Sequence, residues 1–407
     1  VEDLLRTKEE PAERVRPRLV TPVFLLITFS TFAYFLSIGV VIPTLPRYIE
    51  GPLGASSLSV GLVVGSFAFS AVLLRPFIGG VGDRRGRRIL IIVGAAVVGL
   101  SIAPYSLVTS LPLLIVLRLA MGAGEAAFYV GAASVINDLA PDERRGEALS
   151  FFSLALYGGI AVGTVLGETV LDASGFQAVW FVATASALVA AGLGLRVPDT
   201  RPADAGVGVK RRWVHPSGLK PGTILAASVW GLAGFNTFVP LYALEIGLSG
   251  SRYAFFLFAA IVLGIRSFGA RLPDILGPRK AATSALITSS IGLVVMGVWA
   301  EPAGLYLGTV LFGIGQALAF PALMTIAVSG ASSAERGAVI GTFTAFFDLA
   351  FGLGAVTLGA VAGVLGYRGL FVSAALVSVA GLVLLQTYAR QARIKEAIAE
   401  ARAPEPI

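Results

Sequence analysis

The chain has 407 residues, 56% of them hydrophobic and 14% charged, with a net charge of +7, one histidine and no cysteine. Soluble domains run at roughly 45–50% apolar and 25% charged, so this composition excludes an ordinary water-soluble globular protein. The missing cysteines exclude disulfides, thiol catalysis and cysteine-bound metal, and the basic excess marks a nucleic-acid binder only if it gathers on one surface, which it does not.

Residues 1–20 mix acids and bases and lack a short apolar core before a small-residue cleavage site, so the first apolar span is expected to serve as the insertion signal. Twelve apolar stretches follow, at roughly 21–46, 57–80, 89–109, 111–137, 149–172, 176–195, 222–246, 251–273, 281–300, 303–329, 338–363 and 368–389. Each is long enough to cross a bilayer as a helix, which takes about 20 residues. The fold class expected is an all-α membrane protein of twelve transmembrane helices in two pseudo-symmetric six-helix bundles. The bundles would occupy 21–195 and 222–389, joined by a Pro-, Gly- and charge-rich linker at 196–221, with polar ends at 1–20 and 390–407.

Basic residues distribute by side. With the N-terminus in the cytoplasm, the inside segments hold 25 Lys and Arg and the outside segments only Arg47, Arg252 and Arg368, while Arg75, Arg118 and Arg266 fall within spans. That asymmetry is the positive-inside pattern and predicts both ends of the chain in the cytoplasm.

The halves also copy one another. A shift of 191 residues aligns Arg75 with Arg266, Asp83 with Asp274, Gly86 with Gly277, Arg88 with Arg279, Gly124 with Gly315 and Gly175 with Gly366. Charges inside apolar spans are rare, so two arginines each eight residues before an aspartate identify a duplication of six spans. Six is even, so the copies share one orientation and a binding site is expected between them near the midplane.

A charge at mid-bilayer costs about 2.5–3.5 kcal/mol, so each one calls for a reason. In span 4, Arg118 and Glu125 are seven residues apart, which puts them on one face and about 10 Å apart along the axis. Asp348 lies near the middle of span 11 and Glu168 toward the outer end of span 5. Burial disfavours the charged form of a carboxyl and a nearby arginine favours it, so an acid set between the two can load and release a proton near neutrality. Glu125 and Asp348 are therefore candidate proton carriers or binders of a cationic substrate, with Arg118 as the partner that modulates them; the alternative for either acid is a static ion pair or a hydrogen-bonded structural role. Arg75 and Arg266, being duplicated, read as architectural, snorkelling or pairing with carbonyls. Phe32, Tyr34, Tyr129, Tyr157, Asn236 and Gln316 complete a candidate cavity. Its aromatic walls suit an amphiphilic organic substrate, and it is lopsided, since Gln316 stands in the repeat position of Glu125 and Tyr157 in that of Asp348.

The loop after span 2 reads GGVGDRRGRR. It satisfies GxxxDRxGRR with Gly79, Asp83, Arg84, Gly86, Arg87 and Arg88, and Asp274, Gly277 and Arg279 form a degenerate copy after span 8. Supporting positions are Gly39, Pro43, Pro46 and Tyr48 ending span 1, Arg118, Met121, Gly122 and Gly124 in span 4, and the run from Pro141 to Gly146. On these residues the whole chain resembles the major facilitator superfamily, and within it the twelve-span drug:proton antiporter branch. The resemblance implies a secondary transporter, not an enzyme, that exports small amphiphilic compounds against protons by alternating access in the cytoplasmic (inner) membrane. It implies protons as the coupling ion with no other cofactor and no metal. The partners expected are a small-molecule substrate and membrane lipids, with no nucleic acid, and the chain is expected to act as a monomer. The loop after span 2 would fasten the halves together on the cytoplasmic side when the cavity opens outward, Asp83 resting against the start of span 11. The alternatives are a proton-coupled importer and a non-pumping sensor or lipid-handling protein on the same fold.

Three positions depart from the branch. Its span 5 pattern GxxxGPxxGG is met here only by Gly159, Gly163 and Gly167, with Thr164 and Glu168 in place of the proline and the last glycine, and Met121 replaces a common glutamine. No GxxxxGK[ST] phosphate loop occurs, and the lone His215 makes neither a triad nor a histidine-rich metal site.

Overall fold

A backbone in hydrocarbon must bond its own polar groups, so long apolar stretches become helices. The computed structural model describes residues 19–141, 144–200, 214–268, 275–329, 331 and 335–402. Spans 1 to 4 are the helices Pro22–Glu50, Ser57–Arg85, Arg87–Ile102, extended by the 3-10 turn Ala103–Leu107, and Leu111–Leu139. Spans 5 and 6 run as one helical stretch, Arg145–Gly194, broken at Gly175 (φ 75°), and spans 11 and 12 as Arg336–Arg402, broken at Gly366 (φ 69°). Between them lie span 7 (Pro216–Glu245), span 8 (Arg252–Phe268), span 9 (Pro278–Val298) and span 10 (Pro302–Val328). The all-helical, twelve-span architecture expected from the sequence is borne out.

Every positive-φ residue among those described is a glycine, and the six fall into three pairs: Gly54 with Gly247, Gly86 with Gly277, and Gly175 with Gly366. Glycine reverses the chain there because the left-handed region costs it nothing. Successive spans alternate in direction. The turns at Gly86 and Gly277 and the connection between spans 6 and 7 therefore share one side, the linker face. The turns at Gly54, Gly175, Gly247 and Gly366 share the far face.

Several helix boundaries differ from expectation, among them the end of span 2 at Arg85 rather than 80 and of span 12 at Arg402 rather than 389, and two others involve prolines. Span 1 continues through Pro43 and Pro46 to Glu50, since neighbouring helices support a proline-containing membrane helix. Span 7 starts at Pro216 rather than 222, because proline is at home in a first helical turn. His215 caps it: its Nδ1 accepts from Ser217 N at 3.2 Å while its own N–H donates to Thr342 Oγ1 at 2.8 Å.

Small residues set the closest helix approaches, as packing without a hydrophobic driving force requires. Gly39 on span 1 faces Ile160 and Gly163 on span 5 so closely that a Cβ would stand 2.6 Å from the Ile160 carbonyl. Spans 2 and 11 meet through Gly61 against Ala355, Gly65 against Gly352, and Gly359 against Ser57. The span 2 and span 11 positions lie in the far-face halves of their helices, so the two bundles approach each other closely there.

Candidate functional site

Arg75 of span 2 reaches two acids on two different helices. Its Nη2 donates to both carboxylate oxygens of Glu125 on span 4, at 3.2 and 3.0 Å, and its Nη1 donates to Asp348 Oδ2 on span 11. A guanidinium can do this because its donors lie in a rigid fork, whereas an ammonium is a single point of charge. The side chains are 23%, 10% and 16% exposed, so all three are largely withdrawn from solvent but not sealed. Tyr129 lies under the Arg75 guanidinium at 5.0 Å and meets Phe152 edge-on. The site thus joins spans 1–6 to spans 7–12 through one cation and two carboxylates.

This corrects one expectation from the sequence. The arginine beside Glu125 and Asp348 is Arg75, not Arg118. Arg118 does share a helix face with Glu125, but a face fixes azimuth and not reach, and nearer acceptors hold it. Its Nε donates to Val63 O at 3.2 Å, its Nη1 to Met121 Sδ at 3.1 Å, and its plane lies 4.6 Å from the Phe67 ring centroid. Arg75, read as architectural from its duplication, stands at the centre of the cluster.

The other cavity candidates divide. Tyr157 receives the Arg266 guanidinium over its ring at 4.3 Å. Gln316 is buried and donates to Ser228 Oγ at 3.1 Å within the second bundle. Tyr34 is fully buried and stacked on Phe128 at 3.8 Å, a packing role, and Phe32 packs against Gly158 and Gly159 of span 5. Asn236 lines a partly open chamber on the far-face side of the acids. Arg118, Thr237, Met121, Phe67 and Phe351 line it too.

A second ionic cluster, only partly signalled by the sequence, links the two bundles at the far face. Glu168 Oε1 accepts from Ser251 N at 2.9 Å and Ser251 Oγ at 2.6 Å, tying span 5 to the start of span 8. Arg252 pairs with Asp172, and Arg47 lies 3.7 Å from Asp172 and 3.9 Å from Glu168. Glu50 accepts from Ser57 Oγ at 2.7 Å and from the Tyr367 hydroxyl at 2.6 Å, tying span 1 to span 12. The sequence did carry a signal for part of this: Arg47 and Arg252 are two of the three basic residues that break the charge asymmetry.

On the linker face, Gly86 makes the turn at φ 97°, and a Cβ there would overlap the Asp199 carboxylate. Arg87 pairs with Asp138 and donates its backbone N–H to Asp199 Oδ1 at 3.0 Å, and Arg88 donates to Leu195 O. These contacts staple spans 3, 4 and 6. Gly79 and Arg84 belong to the end of span 2, with Arg84 exposed, and Gly277 (φ 79°) and the exposed Arg279 flank the equivalent turn. The Asp83 side chain and Asp274 lie outside the described residues, as do Asp142 and Glu143 of the loop after span 4.

A family profile described as Major Facilitator Superfamily matches residues 27–280 and again 266–406, together nearly the whole chain. The chain belongs to that superfamily. An uncharacterized MFS-type transporter of Salmonella typhimurium is 30% identical over 376 residues, covering 90% of this chain and 96% of the relative. The uncharacterized MFS-type transporter YhhS of Escherichia coli is 28% identical over 388 residues, covering 92% and 94%. Among solved structures, a bacterial homolog of the human lysosomal transporter Spinster, in an inward-facing and occupied conformation, superposes with a TM-score of 0.78. It is 16% identical, with coverage of 90% and 96%, a likeness of fold. As a superfamily member the protein is a multi-pass membrane protein and a secondary transporter of a small molecule, not an enzyme. Within that frame the Arg75 cluster sits where the two bundles meet.

Proposed function

We propose that the protein exports a small amphiphilic organic compound in exchange for protons, by alternating access, with the linker face in the cytoplasm. The observation that carries this reading is the single guanidinium of Arg75 held by carboxylates from both bundles. With both acids ionised the cluster holds one negative charge in excess, in surroundings where unbalanced charge is costly. A proton on Asp348 balances it and loosens the grip of span 11 on Arg75. Proton uptake and separation of spans 2 and 11 then become one event, which is what coupling requires.

Sidedness is supported by the Lys and Arg asymmetry. The conformation supports a state open to the linker face. The far face is held by the Glu168, Asp172 and Glu50 contacts, and the close glycine contacts between spans 2 and 11, at Gly61, Gly65, Gly352 and Gly359, all lie in the far-face halves of those helices. Export is supported by the partial likeness of span 5, at Gly159, Gly163 and Gly167, to the antiporter pattern.

The test is flux in proteoliposomes and in everted and right-side-out vesicles, with pH gradients of either sign and a panel of small aromatic cations, acids and neutral compounds. Export driven by an inward proton gradient, and lost in a folded Asp348→Asn protein, is the expected result. Flux that ignores the gradient, or survives Asp348→Asn unchanged, overturns the proposal.

A further inference from the structure

Arg118 is a buried cation without a counter-charge. It is 6% exposed, and among the described residues its partners are the Val63 carbonyl, the Met121 sulfur, the Phe67 ring and the Tyr105 hydroxyl, which also lies 3.7 Å from that sulfur. None of these is an anion. A guanidinium has five donors, and an uncompensated charge inside a membrane protein costs several kcal/mol unless something pairs with it.

What could pair with it has a place to sit. The chamber beside Arg118 has a volume of about 80 Å³ and is walled by spans 1, 2, 4, 7 and 11, hence by both bundles. A single water needs about 10–15 Å³ on the same measure, so the space takes several waters or a carboxylate with a short apolar body. A second polar residue lines it from the opposite bundle: Thr237 is 1% exposed, and among the described residues its Oγ1 has no hydrogen-bond partner. Asn236, the neighbouring residue of span 7, also lines the chamber. The rest of the wall is apolar, with Phe67, Met121 and Phe351 among it. A cation, an orphan hydroxyl and an amide around a small apolar chamber match a carboxylate attached to a hydrocarbon body, since burying a carboxylate needs both charge and donors.

We infer that this chamber binds the carboxylate of the transported compound, Arg118 supplying the counter-charge and Thr237 and Asn236 the hydrogen bonds. The inference rests on the transport reading for the word "transported". The binding itself needs neither a proton gradient nor a direction. It makes the cargo an organic acid. It also gives the path two unlike stations, with the acid pair at Arg75 nearer the linker face and the anion station nearer the far face.

Binding of benzoate, benzamide and benzylamine to the purified full-length protein in lipid nanodiscs, followed by calorimetry at fixed pH, tests it. Benzoate is expected to bind measurably tighter than its neutral and cationic analogues. Thr237→Val should weaken benzoate roughly fivefold, as loss of one hydrogen bond does, and Arg118→Gln should abolish the preference for benzoate over benzamide. Thr237→Val changes neither charge nor size appreciably, so it remains informative should Arg118→Gln fail to fold. Asp348→Asn separates the two readings: it should remove proton-driven flux and leave benzoate binding intact. Equal binding of benzoate and benzamide, or benzoate binding indifferent to Thr237→Val, overturns the anion station whatever the flux experiments show.

Discussion

Arg266 lies 4.3 Å over the ring of Tyr157, at the place in the second repeat where Arg75 meets Asp348 in the first. The geometry of the duplication survives while its chemistry has diverged: span 2 holds span 11 by an ion pair, and span 8 holds span 5 by a cation over an aromatic face. Only the first link can be broken by a proton. If the second is a permanent hinge contact, Tyr157→Phe should transport normally, while Tyr157→Ala should lose about 1–2 kcal/mol of stability, the worth of a desolvated cation–π pair. Thermal unfolding in detergent, alongside flux, separates these outcomes.

The Arg75 cluster predicts an asymmetry between removing the cation and neutralising an acid. Arg75→Ala strands two buried carboxylates and should cost about 3–5 kcal/mol, whereas Asp348→Asn leaves Arg75 paired with Glu125 and should cost far less. Arg75→Lys should fold yet transport poorly, because one ammonium cannot reproduce the fork that serves two helices. Unfolding midpoints and proton-coupled flux for the three variants decide the matter.

Closure of the far face rests on Glu168 and Asp172. Because the native chain has no cysteine, Asn236→Cys places a single thiol at the chamber wall. Its labelling by a membrane-impermeant maleimide from the far-face side is expected to be slow. Adding Glu168→Gln and Asp172→Asn should speed it several-fold, by weakening the contacts to Ser251 and Arg252. Labelling that stays slow in the triple variant would assign closure to the glycine contacts of spans 2 and 11 instead.

Two neighbouring glycines should respond in opposite senses to alanine. Gly366 sits at φ 69° and makes the reversal between spans 11 and 12, so Gly366→Ala should destabilise by about 1–3 kcal/mol. Gly363, three residues earlier, is helical and a Cβ there meets open space, so Gly363→Ala should stabilise by about 0.5–1 kcal/mol. A pair of thermal melts checks both.

The sequence by itself determined what depends on composition along the chain. Hydropathy marked twelve spans because lipid demands about 20 apolar residues per crossing. The 191-residue copy located two of the three paired turns, since only glycine takes the reversed backbone cheaply at Gly86, Gly277, Gly175 and Gly366. It also named Glu125 and Asp348 as acids that need a reason to be where they are. Tertiary structure alone decided which arginine answers them. Arg118 is seven residues from Glu125 and does not touch it, while Arg75 is 50 residues from Glu125 and 273 from Asp348 and binds both. Sequence spacing fixes rotation about one helix axis; contact between helices depends on how the axes are placed and turned against each other, and that is set by the summed packing of small residues along every interface. The far-face cluster of Glu168, Ser251, Asp172 and Arg252 was hidden for the same reason: its members sit at the ends of different helices, and nothing local brings them together.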